Sequence, residues 1–226
     1  MAAVKEYGQF CALARALDQI GDRWTLLVVR QLLIRPATYT ALQRALPGVA
    51  TNLLAERLRA LQDDGLVARL ATDATRAPYA LTARGAALRP VVLALIRWGA
   101  PLMERGPGDD AVDDGWAILA LEALLTSTAY LGPKGRLRIT CGDVVLDVVA
   151  DEQGRRVEER AGVRPGAHAT GPLPAVLASA YRGSPSPRVK VTGSRRLARS
   201  LLDGNLSGAS GRPLHHSAAL RRTTGT

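Results

Sequence analysis

Cysteine and long apolar runs are scarce in this 226-residue sequence. The two cysteines, Cys11 and Cys141, lie far apart, which excludes a disulfide-stapled scaffold and is typical of a protein from a reducing cytosol. No apolar run reaches the roughly 18 residues of a membrane span, and no secretory signal with a small-residue cleavage site is recognisable. We therefore expect a cytoplasmic protein that makes no contact with a membrane.

Sequence motifs of enzymes and metal sites are also missing. No CxxC, HExxH, GxxxxGK or GxSxG element occurs, so the sequence shows no metal pair, no phosphate-binding loop and no nucleophile elbow. His168 stands alone, and the adjacent His215 and His216 are too few to hold a metal ion. We expect no enzymatic activity, no cofactor and no bound metal.

Positive charge is in moderate excess. The chain has 30 Lys and Arg against 20 Asp and Glu, a formal net charge of +10, and almost all of the cations are arginine. A basic field attracts polyanions, but it serves solubility equally well. Charge alone therefore does not distinguish a nucleic-acid-binding protein from an ordinary soluble one.

Two periodic regions are separated by a turn-forming acidic stretch at residues 106–113, rich in glycine, proline and aspartate. Such a stretch is typical of a linker between domains. The predicted domains cover residues 1–105 and 114–206. Residues 207–226 contain few large apolar side chains to bury, and we expect them to form a disordered tail.

Helical and strand-like patterns in the first domain follow a recognisable order. Two apolar stripes predict amphipathic helices that end at Gly21 and Pro36. The stripes consist of Phe10, Leu13, Ala14 and Leu17, and of Trp24, Leu27, Val28 and Leu32. Further helices are predicted over residues 38–46 and 51–63, a β-hairpin over 66–81, and a last helix from Thr82 that Pro90 should kink or open. This order is that of a winged helix-turn-helix domain.

A winged helix-turn-helix domain presents one helix to the DNA major groove and its hairpin to the flanking backbone. In this sequence the helix over residues 51–63 would enter the groove, with Asn52 suited to adenine and Arg59 on the groove-facing side. The arginines suited to backbone phosphates are Arg23, Arg57, Arg69 and Arg76. The residues predicted to contact DNA are Arg23, Thr38, Thr40, Thr51, Asn52, Arg57, Arg59, Arg69 and Arg76. Taken singly, each arginine is also explained as a solvated surface charge.

The first domain resembles the HxlR-type family of bacterial winged-helix regulators over residues 7–103. The matching segments are IGDRWTLL at 20–27, LPGV at 46–49, LAERL at 54–58, DGLVAR at 64–69 and YALTARG at 79–85. The resemblance implies a dimeric regulator of transcription that binds a near-palindromic operator, with subunit contacts through the first and last helices of the domain. Ala50 and Asn52 depart from the family, which often has a serine and a basic residue there.

Cys11 lies at the position of a cysteine that senses oxidants or electrophiles in some members of that family. The resemblance therefore implies a thiol-based redox regulator as an alternative function. Such a thiol must be accessible and near positive charge, which Arg15, one helical turn on, could supply. A lone cysteine between Phe10 and Leu13 is also explained as a small buried hydrophobic residue.

The second domain is predicted to be α+β, with helices packed on an antiparallel sheet. Helices are expected over residues 114–126, 173–181 and 194–202, and strands over 136–140, 144–150, 155–159 and 188–192. The domain resembles the sterol-carrier-protein-like domains, which implies a hydrophobic small molecule held between sheet and helices. The predicted lining, which ordinary core packing explains equally well, is Trp116, Leu119, Ile139, Leu146, Val148 and Leu177.

These patterns together predict a dimeric transcriptional repressor whose second domain binds a hydrophobic effector. A carrier or sequestering protein for a hydrophobic metabolite, which keeps the winged helix only as a dimerisation module, is the alternative from a different class. Specific binding to DNA distinguishes the two.

Overall fold

The computed structural model describes residues 7–71, 77–159 and 162–204. Among these residues, two clusters of buried apolar side chains form separate cores, one drawn from residues 20–92 and the other from residues 117–202 together with Ala100. Residues 106–112 between them adopt no regular helix or strand. The predicted tail at 207–226 and the predicted DNA contact Arg76 lie outside the described residues.

The described residues of the first domain form six α-helices and a two-stranded hairpin in the predicted order. The helices are α1 (Ala12–Ile20), α2 (Thr25–Ile34), α3 (Tyr39–Ala45), α4 (Thr51–Asp63), α5 (Ala83–Ala86) and α6 (Arg89–Gly99), followed by a 3₁₀ turn, Ala100–Met103. Strands β1 (Val67–Arg69) and β2 (Tyr79–Leu81) pair antiparallel. Pro90 lies in the first turn of α6 and separates it from α5, because proline cannot donate the hydrogen bond of a continuing helix. The opening predicted at Pro90 is therefore observed.

The core of the first domain is built around α4. Leu54, Leu58 and Leu61 repeat at helical spacing, are almost fully buried, and join Val28 and Leu32 of α2 in one cluster. The opposite side of α4 is left in solvent. Burial of this leucine stripe therefore fixes which face of α4 is available to a partner.

Gly85 allows α5 to pack against the start of the hairpin. A Cβ atom at this position would lie 2.0 Å from the backbone oxygen of Leu66. We predict that Gly85→Ala lowers the free energy of unfolding by about 2 kcal/mol, because the backbone must shift to relieve the contact. Gly99→Ala is the control, since its Cβ would meet nothing within 4 Å and alanine favours the helix by about 0.5 kcal/mol. Equal urea midpoints for the two variants would refute this packing.

The second domain is an α+β unit with a mixed five-stranded sheet. Its helices are the 3₁₀ turn Asp114–Trp116, α7 (Ala117–Leu125), α8 (Leu173–Arg182) and α9 (Arg195–Leu202). Its strands are β3 (Gly135–Cys141), β4 (Val144–Asp151), β5 (Gly154–Glu159), β6 (Ala167–Thr170) and β7 (Lys190–Gly193), in the order β5-β4-β3-β6-β7.

The prediction of an antiparallel sheet is wrong at β6. This strand was not predicted, and it pairs parallel to β3, with Leu137 opposite Ala167 and Ile139 opposite Ala169. Its sequence, Ala-His-Ala-Thr, offers only two small apolar residues, so the pattern that predicts strands is weak there. The parallel pairing in the middle of the sheet holds β6 in place instead.

One face of the sheet packs against the helices and the other carries an ion cluster. Leu137, Ile139 and Val148 lie on the helix side and are at most 1% exposed. On the other side Asp147 is fully buried and accepts hydrogen bonds from Arg136 at 3.0 Å and from Arg138 at 2.8 Å. The two arginines therefore neutralise a carboxylate that the sheet removes from solvent.

Candidate nucleic-acid interface

One side-chain hydrogen bond caps α3 and another joins α3 to α4. The Thr38 hydroxyl accepts a hydrogen bond from the Ala41 N–H at 3.3 Å and caps α3. The Tyr39 hydroxyl donates to the Thr51 backbone oxygen at 2.7 Å, at the first residue of α4. Sequence reasoning did not single out Tyr39, because the contact joins two helices across a turn. These bonds fix the start of α4 relative to α3.

The exposed face of α4 carries the polar residues predicted to read DNA. Thr51, Asn52 and Arg59 are all exposed, and Asn52 and Arg59 are seven residues apart, two turns along the same face. Thr40 of α3 is exposed as well, whereas Thr38 is half-buried and caps its helix. A protruding helix with an amide and a guanidinium on one face has the geometry needed to enter a major groove.

Arg57 differs from Arg59 in having carboxylate partners. Its Nε lies 3.3 Å from Oδ1 of Asp22, in the turn before α2, and its Nη2 lies 3.4 Å from Glu56. Only 26% of its side chain is exposed. Arg57 therefore ties α4 to the α1–α2 turn, and its predicted phosphate contact competes with these ion pairs.

The hairpin presents a guanidinium held in place by an aromatic ring. Arg69 of β1 donates to the Tyr79 hydroxyl at 2.6 Å and stacks on that ring, 4.5 Å from its centroid. Arg23 is exposed beside α2 and lies 5.6 Å from the centroid of the Trp24 ring. Arg69 and Arg23, both predicted to contact phosphates, are thus at the surface with restricted side-chain motion. This restriction lowers the conformational entropy that the side chains lose on binding DNA.

Large apolar side chains on and beside α1 and α6 are exposed in the part of the chain that the structure describes. Phe10 is fully exposed and Trp98 is 76% exposed. We call these side chains together the apolar face: Phe10, Leu13, Leu17, Val91, Leu95, Trp98, Leu102 and Met103. The predicted stripe of α1 therefore exists but points outward, with only Ala14 of that stripe buried. Exposed apolar patches of this kind mark interaction sites.

The same region contains the one helical stretch among the described residues that is long and apolar enough to cross a membrane, Ala83–Met103. The stretch meets this criterion by its length and composition only, and a single such helix is weak evidence for a membrane span. Arg89 and Arg97 of this stretch make polar contacts with the second domain, described next. The stretch is therefore part of the packing between the two domains.

Polar contacts join α6 to α7. The Arg89 guanidinium donates to both carboxylate oxygens of Glu122, with 2.9 Å from its Nε to Oε1. Arg97 Nε donates to the backbone oxygen of Ala123 at 2.6 Å. Through α6, the second domain is thus attached directly to the helix that carries Trp98 and much of the apolar face.

Trp116 belongs to this contact between domains. Its indole Nε1 donates to Oε1 of the buried Gln31 side chain at 3.3 Å, and Arg30 stacks over its ring at 4.2 Å. Burial lowers the pKa of the Arg30 guanidinium, and nearby Asp113 opposes that shift. Trp116 therefore lies against α2. The other predicted lining residues, Leu119, Ile139, Leu146, Val148 and Leu177, are all buried, and a ligand among them stays a prediction.

The two thiols lie in opposite environments. Cys11 is exposed at the N-terminus of α1, where the backbone N–H groups of Ala14 and Leu13 lower its pKa. Arg15, expected to supply positive charge to this thiol, pairs with Asp18 at 3.6 Å. Burial, together with Asp114, raises the pKa of Cys141 to about 11. Cys11 is therefore the reactive thiol of the pair.

A protruding helix, its supporting helix and a basic hairpin define a winged helix-turn-helix DNA-binding protein. Residues 19–107 match the model of the HxlR-like helix-turn-helix family. The helix-turn-helix transcriptional regulator sll1512 of Synechocystis sp. is 33% identical over 102 residues, which cover 44% of this chain and 76% of that protein. The chain belongs to the HxlR-like helix-turn-helix family and is a DNA-binding regulator of transcription.

Two Bacillus subtilis proteins are also similar to part of this chain. The regulator YvaP is 35% identical over 86 residues, which cover 37% of this chain and 80% of that protein. The structure of the reduced form of the transcriptional regulator YodB is 28% identical, covers 43% of this chain and 99% of that chain, and has a TM-score of 0.38. Each of these matches involves less than half of this chain, so the role of the second domain is open to proposal.

Proposed function

We propose that the protein is a dimeric, sequence-specific repressor whose second domain controls the DNA-binding geometry of the first. The observation that carries the proposal is the position of α6. One side of this helix carries Val91, Leu95 and Trp98 of the apolar face, and its Arg89 and Arg97 side chains hold the second domain. A change in the second domain therefore acts on the helix assigned to the dimer contact.

The apolar face supports a twofold dimer. It combines α1 with α6, the first and last helices of the DNA-binding domain, and joins two copies through the same surface on each. Such a dimer presents two copies of α4 to successive major grooves, about one DNA turn apart, which favours a near-palindromic operator. An effector then needs only to bind the DNA-competent and incompetent dimers with different affinity.

We predict different roles for two neighbouring arginines of α4. Arg59→Ala should weaken binding to all DNA sequences and reduce the slope of log K against log salt by about 0.9, the contribution of one phosphate contact. Arg57→Ala should change this slope much less, because Arg57 is paired with Asp22 and Glu56. Asn52→Ala should relax the preference at particular bases while leaving the slope unchanged.

The measurement is a titration of one promoter fragment at several salt concentrations, with a scrambled fragment as control. A reduced slope in Arg57→Ala together with an unchanged slope in Arg59→Ala would reverse the two assignments. If all three variants bound DNA as the wild type does, α4 would not belong to the DNA interface.

A second candidate function is thiol-based redox sensing through Cys11. The observation that favours it is an exposed thiol of lowered pKa beside Phe10 and Leu13, which belong to the apolar face. Oxidation at that position would place a bulky or polar group at the proposed dimer contact. The two functions are compatible, since both act through the same pair of helices.

Iodoacetamide should modify Cys11 and leave Cys141 intact in the native protein. A lowered pKa means that the Cys11 thiolate forms at lower pH than an ordinary thiol, whereas Cys141, with a pKa of about 11, stays protonated and buried. Mass spectrometry after alkylation at about pH 8 measures both sites. If Cys11→Ser retains the full response of DNA binding to a thiol oxidant such as diamide, redox sensing through Cys11 is wrong.

A further inference from the structure

A cleft of about 950 Å³ opens beside α9 in the second domain. Its lining combines cationic and apolar side chains. We call it the arginine cleft, after Arg195, Arg196 and Arg199, and its lining also includes Val189, Val191 and Pro185. None of the residues predicted to line an apolar ligand site lines this cleft.

The three arginines lie close together without neutralising partners. They fall within five residues of α9, all three are exposed, and in the part of the chain that the structure describes none forms a salt bridge. Like charges three and four residues apart destabilise a helix. Arg195 and Arg196 also occupy the first turn of α9, where the helix dipole disfavours cations. An anion bound between them would relieve both effects.

The remaining polar groups are compatible with an anion. Among the described residues that line the cleft, Asp203 is the one carboxylate, so three guanidinium groups face one opposing charge. The Asp203 carboxylate lies next to Gly183, where a Cβ would be 2.6 Å from its Oδ1. Ser186 and Ser200 also line the cleft. Guanidinium groups bind carboxylates and phosphates through paired hydrogen bonds.

The buried Arg155 side chain and helix α7 connect the cleft to α6. Arg155 donates hydrogen bonds to the backbone oxygens of Ser200 and Asp203, two residues of the cleft. It also donates to the Leu125 oxygen at the end of α7. Two residues earlier, the Ala123 oxygen accepts the hydrogen bond from Arg97 of α6. An occupant of the cleft thus sits at one end of a continuous set of contacts that reaches the proposed dimer helix.

We propose that the arginine cleft binds a small molecule with a carboxylate or phosphate head and an apolar body. This molecule is the effector of the regulator proposed above, and only that regulatory role depends on the proposed function. The head group pairs with Arg195 and Arg199, and the apolar part lies along Val189 and Val191. The effector class is therefore an amphiphilic anion, which differs from the neutral hydrophobic molecule implied by the sequence resemblance.

Calorimetric titration of the full-length protein tests this proposal with four probes: octyl phosphate, octanoate, octanol and inorganic phosphate. At least one of the two eight-carbon anions, octyl phosphate or octanoate, should bind about tenfold or more tightly than octanol, as expected for charge-assisted hydrogen bonds. The double substitution Arg195→Gln and Arg199→Gln should weaken that binding by at least about tenfold. The control removes the same charge from exposed arginines outside the cleft, Arg164→Gln and Arg188→Gln, and should change binding less than about twofold.

Other outcomes of these experiments contradict specific parts of the proposal. The anion site is wrong if octanol binds as tightly as the anions, or if the Arg195 and Arg199 variant binds the anions with unchanged affinity. Inorganic phosphate binding as tightly as octyl phosphate overturns the apolar part. Promoter binding is measured on the same variants without probe. Specific DNA binding that is retained and insensitive to a bound anion overturns the effector role while leaving the regulator intact.

Discussion

Trp98→Glu is expected to separate the dimer and abolish specific DNA binding. Trp98 is 76% exposed in the single chain, so its replacement removes little from the core of the subunit. In the proposed dimer it contributes to the contact together with Leu95 of α6 and Leu102 of the following 3₁₀ turn, which are exposed as well. A buried tryptophan at an interface contributes about 2 kcal/mol or more, and a buried carboxylate adds a further penalty. We expect the dimer dissociation constant to rise by at least about thirtyfold.

Sedimentation equilibrium and promoter binding measure the two effects in parallel. Gln153→Glu adds the same charge at an exposed turn of the second domain and should leave both unchanged. Circular dichroism checks that Trp98→Glu keeps its helical content. A variant that remains dimeric and binds its promoter normally would show that the apolar face serves some other contact.

Arg155→Met is expected to destabilise the second domain severely. Arg155 is 4% exposed, and its guanidinium donates to the backbone oxygens of Leu125, Ser200, Leu201 and Asp203. These carbonyl groups lie at the C-terminal ends of α7 and α9 or directly after α9. The helices provide no further N–H group to which they could bond. Each buried carbonyl left without a donor costs about 1 to 3 kcal/mol. We predict a loss of about 3 kcal/mol or more, and a melting temperature about 6 to 12 °C lower for a chain of this length.

The neighbouring arginine supplies the control. Arg156 is on the opposite face of β5 and forms surface ion pairs with Asp151 and Glu158. Arg156→Met should cost less than about 1 kcal/mol, because exposed ion pairs contribute little. Thermal unfolding followed by circular dichroism compares the two variants. Similar melting temperatures would mean that Arg155 does not hold the two helix ends together.

Local sequence patterns predicted most of the helices and strands. The bounds of α4 agree with residues 51–63, because Leu54, Leu58 and Leu61 mark one face and turn signals flank it. Strand β6 was not predicted, because its position in the sheet depends on pairing with β3, about 30 positions away, and not on its own apolar content. Local periodicity carries no information about such a partner.

The site was harder to predict than the fold, for the same physical reason. The stripe of Phe10, Leu13 and Leu17 identified a helix, but a stripe facing a core and one facing a second subunit have the same spacing. The sequence pattern placed Arg59 toward the groove and Arg57 toward a phosphate, but only the folded chain shows that Asp22 lies beside Arg57. Trp116 was predicted in a ligand pocket, and the folded chain also brings it to Gln31 of the other domain. Each difference depends on a residue distant in sequence.

Quantitative binding to a fragment from the protein's own promoter region decides whether the protein is a sequence-specific repressor. At about 150 mM salt, such a repressor should bind one such fragment roughly 10³-fold or more tightly than scrambled DNA of equal length. We predict this ratio for the wild-type dimer and its loss in Trp98→Glu. If no fragment from the neighbourhood of the gene exceeds non-specific affinity by that factor, the repressor proposal is contradicted, and the carrier or sequestering function becomes the better explanation.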